Sequence, residues 1–269
     1  MDRSLLVALL AGVLQGIFEW LPISSEGNLT VVLTALGRPA EAAVAFSLFL
    51  HLGTAGSASV YYREEVAELL GRLPDWRPKR AFVGEQAPVT FLAVGTLVSG
   101  LVGIAAYATL DEVVNELTGG TVVVLVGVLL VVTGLFQKFT AGRASTERDP
   151  DLLDAVLVGA AQGVAILPGV SRSGMTTGTL LLRGYDGSSA FRFSFLLSIP
   201  AALGGAAIAY VDTGLGEVTP TAAAIALLTA FLVGYATIDA LLRVVERVPF
   251  WLVCLGLGAV AMLGGALVL

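Results

Sequence analysis

One cysteine, one histidine and two lysines in 269 residues remove several common chemistries at the outset. A lone Cys254 excludes an intrachain disulfide and a thiolate metal cluster. A lone His51 excludes mechanisms that need two histidines, among them paired-histidine zinc sites and phosphatases that pass through a phosphohistidine beside a second histidine. Charge is scarce: 13% of residues are charged, about half of the roughly 25% usual in a soluble domain. The 15 basic residues are outnumbered by 21 acidic ones, for a net charge of −6, so there is no basic footprint for nucleic acid. What the chain has is apolar surface, with 56% hydrophobic residues and a mean hydropathy of +0.88. One core of this length cannot hide so much. Lipid must solvate much of the surface, and the chain reads as a multi-spanning, all-α membrane protein. Its apolar start, Leu5 to Val13, runs straight into Gln15, Glu19 and Pro22 without a small-residue cleavage pattern, and reads as part of the mature protein.

Crossing about 30 Å of hydrocarbon takes roughly 20 helical residues. Runs of that kind, bounded by charges and by Gly/Pro punctuation, predict six spans at about 42–62, 88–108, 119–137, 190–211, 219–241 and 249–268. Two more apolar segments, 4–36 and 152–184, are broken in the middle by Pro, Ser, Gly and charged residues. Each predicts a re-entrant pair of half-helices with a polar elbow. The broken segments also resemble each other. Gly12, Gln15 and Gly16 recur as Gly159, Gln162 and Gly163, Leu21-Pro22 as Leu167-Pro168, and Phe46-Ser47 as Phe193-Ser194. The elbow from Ser24 to Asn28 aligns with that from Ser171 to Met175. The chain therefore divides into repeat 1 (1–139), a polar linker (140–151) and repeat 2 (152–269) within a single membrane domain. Three full crossings per half invert the second half, and an inverted repeat brings two irregular elbows together near the bilayer midplane, where unwound backbone must be buried or line a cavity.

Under that topology Arg63, Arg72, Arg77, Lys79, Arg80, Lys138, Arg143, Arg148, Arg183, Arg243 and Arg247 share one side, and Arg3 and Arg38 the other. The first side is expected to be cytoplasmic. Both termini, and the acidic loops with Asp111, Glu112, Glu116, Asp212 and Glu217, are then expected outside.

Ionisable groups inside apolar segments are costly and so mark function by default. Glu19, Glu26 and Arg172 qualify. Gln15 and Glu19 lie four apart on one face of the first half-helix. Pro22 and Gly27 bracket a stretch expected to be non-helical, Ile23 to Glu26, with a half-helix starting near Gly27 whose free N–H groups point into the elbow. The second elbow offers Arg172, a fork of donors matched to phosphate, with Ser171, Ser173, Thr176 and Thr177 around it and Gly174 permitting close backbone approach. Together the elbows would set a carboxylate, a serine and an arginine around one phosphoryl group. The bland readings are that Glu19 and Arg172 merely neutralise each other as a buried pair and that single hydroxyls serve helix packing. His51, alone on an apolar helix, reads as a packing residue rather than a proton carrier. Arg183 and Arg192 are expected to snorkel to the interface, and Asp239 to pair locally with Arg243.

At these residues the chain resembles the undecaprenyl-pyrophosphate phosphatase family, the bacitracin-resistance type of integral membrane lipid phosphatase. The resemblance rests on Gln15-Gly-Ile-Phe-Glu19, on Leu21-Pro22-Ile23-Ser24-Ser25, on Pro168-Gly-Val-Ser-Arg-Ser-Gly-Met-Thr176 and on the run from Phe193 to Pro200. It implies removal of the terminal phosphate of a polyprenyl diphosphate to give the monophosphate carrier lipid for envelope glycan assembly, assisted by a divalent cation, magnesium or calcium. It further implies Ser25 as nucleophile, Glu19 as its base or a metal ligand, Arg172 as phosphate clamp, and Ser24, Ser171, Ser173, Thr176, Gly27 and Gly174 as phosphate binders. Two positions depart from the family pattern. Asn28 stands where a histidine is usual, and Gln15 replaces the first carboxylate. Glu26, where a small hydroxyl residue is more common, is expected to restore a carboxylate as base or cation ligand. Gln15, Asn28 and His51 are carried as accessory residues. The expected setting is the plasma membrane, with the site open to the outer face. The sequence is compatible with a homodimer without indicating one. A rival reading, a polyprenyl-phosphate flippase, follows from the use of inverted repeats and broken helices by transporters.

Overall fold

The computed structural model describes residues 3–117, 119–142, 148–212, 214, 218–245 and 247–268, and their side chains except those of 110–116 and 212. Arg143, Glu217 and the side chains of Asp111, Glu112, Glu116 and Asp212, expected to mark sidedness, lie outside this description, as do linker residues 143–147. The described residues form helices α1 (Arg3–Phe18), α2 (Ser25–Ala35), α3 (Ala40–Tyr61), α4 (Arg63–Gly71), α5 (Ala87–Glu116), α6 (Gly119–Thr140), α7 (Leu152–Val164), α8 (Arg172–Leu182), α9 (Gly187–Asp212), α10 (Pro220–Val245) and α11 (Phe250–Ala266), with short 3-10 turns between α4 and α5 and no strand among them.

Among the described residues five helices, α3, α5, α6, α9 and α10, are long and apolar enough to cross a membrane. The sixth expected span, 249–268, is the shorter α11, whose 17 residues rise only about 26 Å. Helix α4 was not expected. It is polar, with Glu64 and Glu65 in its first turn, and has no buried residue. Both broken segments are helix, elbow, helix, as the Pro and Gly punctuation predicts. The first elbow differs in one respect: α2 begins at Ser25, so Ser25 and Glu26 occupy its first turn rather than the irregular stretch. The cause is Ser24, whose Oγ accepts from the Gly27 N–H at 3.2 Å and so caps the helix two residues earlier than the glycine suggests.

Helices α3 and α9 pack together at the centre, α1 lies along α10, α7 along α5, and α6 along α11. The α1–α10 and α7–α5 contacts are made by backbone against backbone. A Cβ on Gly12 would sit 2.5 Å from the Ala226 carbonyl oxygen, and one on Gly159 2.6 Å from that of Gly95. These two glycines hold corresponding places in the two broken segments, and each lets a half-helix seat deeply against a long helix. Seating α1 and α7 in this way carries their C-terminal ends, and hence both elbows, into the interior.

Candidate active site

At the first elbow α1 stops where Pro22 has no N–H to offer, and Ile23 N–H turns back to the Leu21 carbonyl at 2.8 Å. Ser24 then adopts a left-handed conformation, φ 61°, the one non-glycine residue among those described to do so. The second elbow makes its left-handed turn at Gly169, φ 104°. The two elbows touch: Gly169 N–H donates to Ser24 Oγ at 3.0 Å, and a Cβ on Gly27 would lie 2.5 Å from the Gly169 nitrogen. Helix α6 ties both in place. Gln137 Nε2 donates to the Pro22 carbonyl at 2.6 Å, while Thr133 Oγ1 donates to the Gly169 carbonyl at 3.1 Å and accepts from Ser171 N–H at 3.2 Å.

The juxtaposed elbows bring Glu19, Ser25 and Arg172 together. Ser25 Oγ donates to Glu19 Oε2 at 2.8 Å, and Arg172 Nη2 donates to Glu19 Oε1. Gln15 Nε2 reaches the same Oε2 at 2.9 Å, one turn back on α1. Arg172 spends one further N–H on the Ser194 carbonyl at 3.5 Å and keeps the rest of its fork for a ligand. A recess of about 20 Å³ opens here, lined by Glu19, Ser24, Ser25, Glu26, His51 and residues 170–173. The backbone N–H groups of Ser25 and Glu26 in the first turn of α2, and of Arg172 and Ser173 in the first turn of α8, have no acceptor among the described residues. Two helix starts therefore point spare donors at one space.

The recess adjoins a cavity of about 350 Å³ between α3, α5, α7 and α9, which shares Glu26, His51, Ala165 and Arg172 with it. Its walls are mostly small and apolar, including Gly100, Gly103, Ala201, Gly204 and Gly205, with Ser99 and Gln162 as a polar rung. Ile104 on its wall is 58% exposed, so the cavity reaches the molecular surface beside an apolar side chain.

Several expectations change. His51 is no mere packing residue: its Nε2 lies 3.2 Å from Glu19 Oε2 and 3.5 Å from Ser25 Oγ. The reason is that α3 packs beside α2, which puts the middle of a span at the depth of the elbows. Asn28 turns away from the recess; its Nδ2 donates to the carbonyls of Ile23 at 2.6 Å and Ser24 at 2.9 Å. Thr176 is fully buried and does not line the recess; its hydroxyl is bonded to the Arg172 carbonyl at 2.8 Å and to Ser194 Oγ at 2.6 Å. The N–H groups of Gly27 and Gly174 are spent on the capping oxygens of Ser24 and Ser171, so the free donors are those of their neighbours. Ser173 and Ser171 remain on the wall, their hydroxyls 3.5 Å apart. Arg183 does not snorkel but binds Asp154 and Asp151. Arg192 pairs with Glu65 at 3.1 Å near the surface, and Asp239 with Arg243 at 2.8 Å as expected. The residues missed in the sequence, Thr133 and Gln137, sit on an apolar span, where a polar side chain facing the interior was the available signal.

A resident cation does not fit these side chains. Both oxygens of Glu19 are taken by cationic or N–H and O–H donors, leaving Glu26, whose Oε1 is buried without a partner, as the lone available carboxylate. Among the described residues no three His, Cys, Asp or Glu side chains converge as a metal cage.

Residues 8–260 match the family model described as bacitracin resistance protein BacA. A curated relative from Haloarcula marismortui, named undecaprenyl-diphosphatase, is 48% identical over 99% of both chains. Relatives of the same name from Methanococcoides burtonii and Sulfurisphaera tokodaii are 40% and 34% identical, over 97% and 96% of this chain and 98% and 96% of their own lengths.

Proposed function

This chain belongs to the bacitracin resistance protein BacA family, and from that premise and the elbow geometry we propose that it hydrolyses the terminal phosphate of an undecaprenyl-type diphosphate to inorganic phosphate and the monophosphate carrier lipid. The observation that carries the reading is the single carboxylate of Glu19, which accepts from the Ser25 hydroxyl on one oxygen and from the Arg172 guanidinium on the other. A serine beside a base is an activated nucleophile. An arginine on the same carboxylate is a donor poised to move onto a phosphoryl group. Ser25 Oγ attacks the terminal phosphorus as its proton passes to Glu19. The bond to the bridging oxygen breaks, and its electron pair leaves with the lipid monophosphate. Arg172 and the four spare N–H groups absorb the charge that shifts onto the equatorial oxygens. The small volume of the recess fits a resting state in which the Glu19–Arg172 pair closes over the place the phosphate takes. Ser171 and Ser173 border that place and steady its oxygens.

The adjoining cavity suits the first isoprenoid units, with the remaining tail leaving sideways into the bilayer. Magnesium or calcium, expected from the family, would find only Glu26 as a carboxylate with a free oxygen beside the recess and would supply charge neutralisation to the diphosphate. The inverted repeat is supported by the reciprocal seating of α1 on α10 and α7 on α5, with α3–α9 and α6–α11 pairing across the halves. On that topology α11 completes six crossings, the basic loops face the cytoplasm, and the termini and the cavity face outward from the plasma membrane. Translocation without cleavage is not favoured, since a serine hydroxyl bonded to a carboxylate has no part in carrying a lipid.

The test is phosphate release from polyprenyl diphosphate by purified protein. Ser25→Ala and Arg172→Ala should each reduce it by about a thousandfold or more. Parental turnover by either variant would overturn the site.

A further inference from the structure

The mechanism above leaves one proton unassigned. Once Glu19 holds the proton from Ser25, it cannot take another from the water that must cleave the phosphoserine. Of the other groups on that carboxylate, Gln15 and Arg172 are donors only in this arrangement, which leaves His51, 3.2 Å from Oε2. A second base is required within reach of the same phosphorus.

Resting on the phosphatase reading, we propose that His51 Nε2 is that base. His51 Nδ1 lies 2.9 Å from the Ser47 carbonyl oxygen, one turn back on α3. A carbonyl accepts and never donates, so Nδ1 carries the hydrogen and the tautomer is fixed. Proton exchange is thereby confined to Nε2, the atom 3.2 Å from Glu19 Oε2 and 3.5 Å from Ser25 Oγ. The imidazole also borders both the recess and the larger cavity. Water that enters as the lipid monophosphate withdraws along the cavity passes His51 before it reaches the phosphoserine. In this step the water oxygen bonds to phosphorus as His51 Nε2 takes its proton. The phosphorus–Oγ bond breaks, its electron pair returns to Ser25 Oγ, and Oγ recovers its proton from Glu19. Inorganic phosphate leaves, and the imidazolium returns its proton to solvent. The charged groups that face His51 are Glu19 at the end of α1, Glu26 on α2 and Arg172 on α8. Two carboxylates on one side of the ring hold the imidazolium once formed, and Arg172, drawn onto phosphate during the reaction, no longer opposes it.

Glu26 is the rival base, because its Oε1 is buried beside the recess and has no partner. The test separates the two. Full-length His51→Gln, Glu26→Gln and Ser25→Ala proteins in detergent are mixed with polyprenyl diphosphate, and lipid monophosphate, inorganic phosphate and the intact protein mass are followed after rapid quenching. His51→Gln should release about one equivalent of lipid monophosphate per protein and then stall, with phosphate release slowed roughly 10^2- to 10^4-fold and Ser25 carrying one added phosphoryl group. Added imidazole should discharge that phosphoserine. The limb of the parent's pH–rate profile due to the base should vanish in His51→Gln and persist in Glu26→Gln. Phosphoserine that accumulates in Glu26→Gln but not in His51→Gln would overturn the assignment, as would parental phosphate release by His51→Gln. Ser25→Ala turning over at the parental rate would instead overturn the phosphatase site on which the proposal rests.

Discussion

Among the described residues two buried carboxylates are held by arginine, and they are built for opposite ends. Asp154, in the first turn of α7, accepts from Arg183 Nε on Oδ1 and from Arg148 Nη2 at 3.0 Å, Tyr185 OH at 2.7 Å and the Asp151 N–H at 3.0 Å on Oδ2. Asp151 closes the knot by binding both arginines and, reciprocally, the Asp154 N–H. Two negative and two positive charges balance, and Tyr185 lies fully buried beneath Arg148. Glu19 has three donors, Gln15, Ser25 and Arg172, yet the Ser25 hydroxyl carries a proton that can move and His51 Nε2 lies 3.2 Å away. Beside it lie a recess, a carboxyl oxygen without a partner and four spare N–H groups. Burial and arginine pairing alone therefore do not mark a site. What marks it is polar capacity left unused next to open space. The repeat pattern agrees, since the position in the first half that corresponds to Asp154 is the apolar Val7. The clasp belongs to one half only, while the elbows recur in both.

Substitution at the two carboxylates should break the comparison most sharply. Glu19→Gln keeps the shape and removes the base, and turnover should fall by about 10^2- to 10^4-fold with only a modest change in unfolding temperature in detergent. Asp154→Asn should do the reverse. It leaves Arg148 and Arg183 short of a charge partner, costs about 3 kcal/mol of stability, and leaves phosphate release per folded molecule at the parental level. If both variants lose activity and stability in equal measure, the division into clasp and site fails.

Acid should also tell the two knots apart. Asp151 pays for partial burial but is held below the ordinary aspartate value by the Asp154 N–H and by Arg183 and Arg148. A carboxylate with a depressed value stabilises the fold above its unfolded value, about 3.9, and loses that contribution as pH falls through the lower folded value. The parent's unfolding temperature should therefore decline below about pH 4, and Asp151→Asn should flatten that decline.

The elbows were legible in the sequence because an apolar chain makes every Glu, Arg and clustered Ser conspicuous, and because the two halves repeat the same punctuation. What was not legible is tertiary. His51 is a single polar residue on a span, and only the packing of α3 against α2 turns it from apparent filler into a neighbour of Ser25. The start of α2 shifted because a capping serine outweighs a following glycine. Thr176 looked like a phosphate ligand by spacing, but one turn into α8 its hydroxyl points back to the Arg172 carbonyl. Local pattern identifies which residues are polar without saying which way a helix turns them.

Asn28 gives the smallest expected effect and the finest test of that distinction. It occupies the place where the family pattern carries a histidine, three residues after Ser25, yet its carboxamide donates to the carbonyls of Ile23 and Ser24 and fastens the left-handed residue that links the elbows. Two neutral hydrogen bonds on a half-buried side chain contribute about 1–2 kcal/mol together. Asn28→Ala should lower the unfolding temperature slightly and change phosphate release only a few-fold, through a looser elbow rather than a missing proton carrier. The pH–rate profile should keep its shape, since the group that titrates stays on α3. A loss of turnover as large as that of Glu19→Gln would mean that the carboxamide leaves the backbone and meets the substrate, and position 28 would then belong to the site in this chain after all.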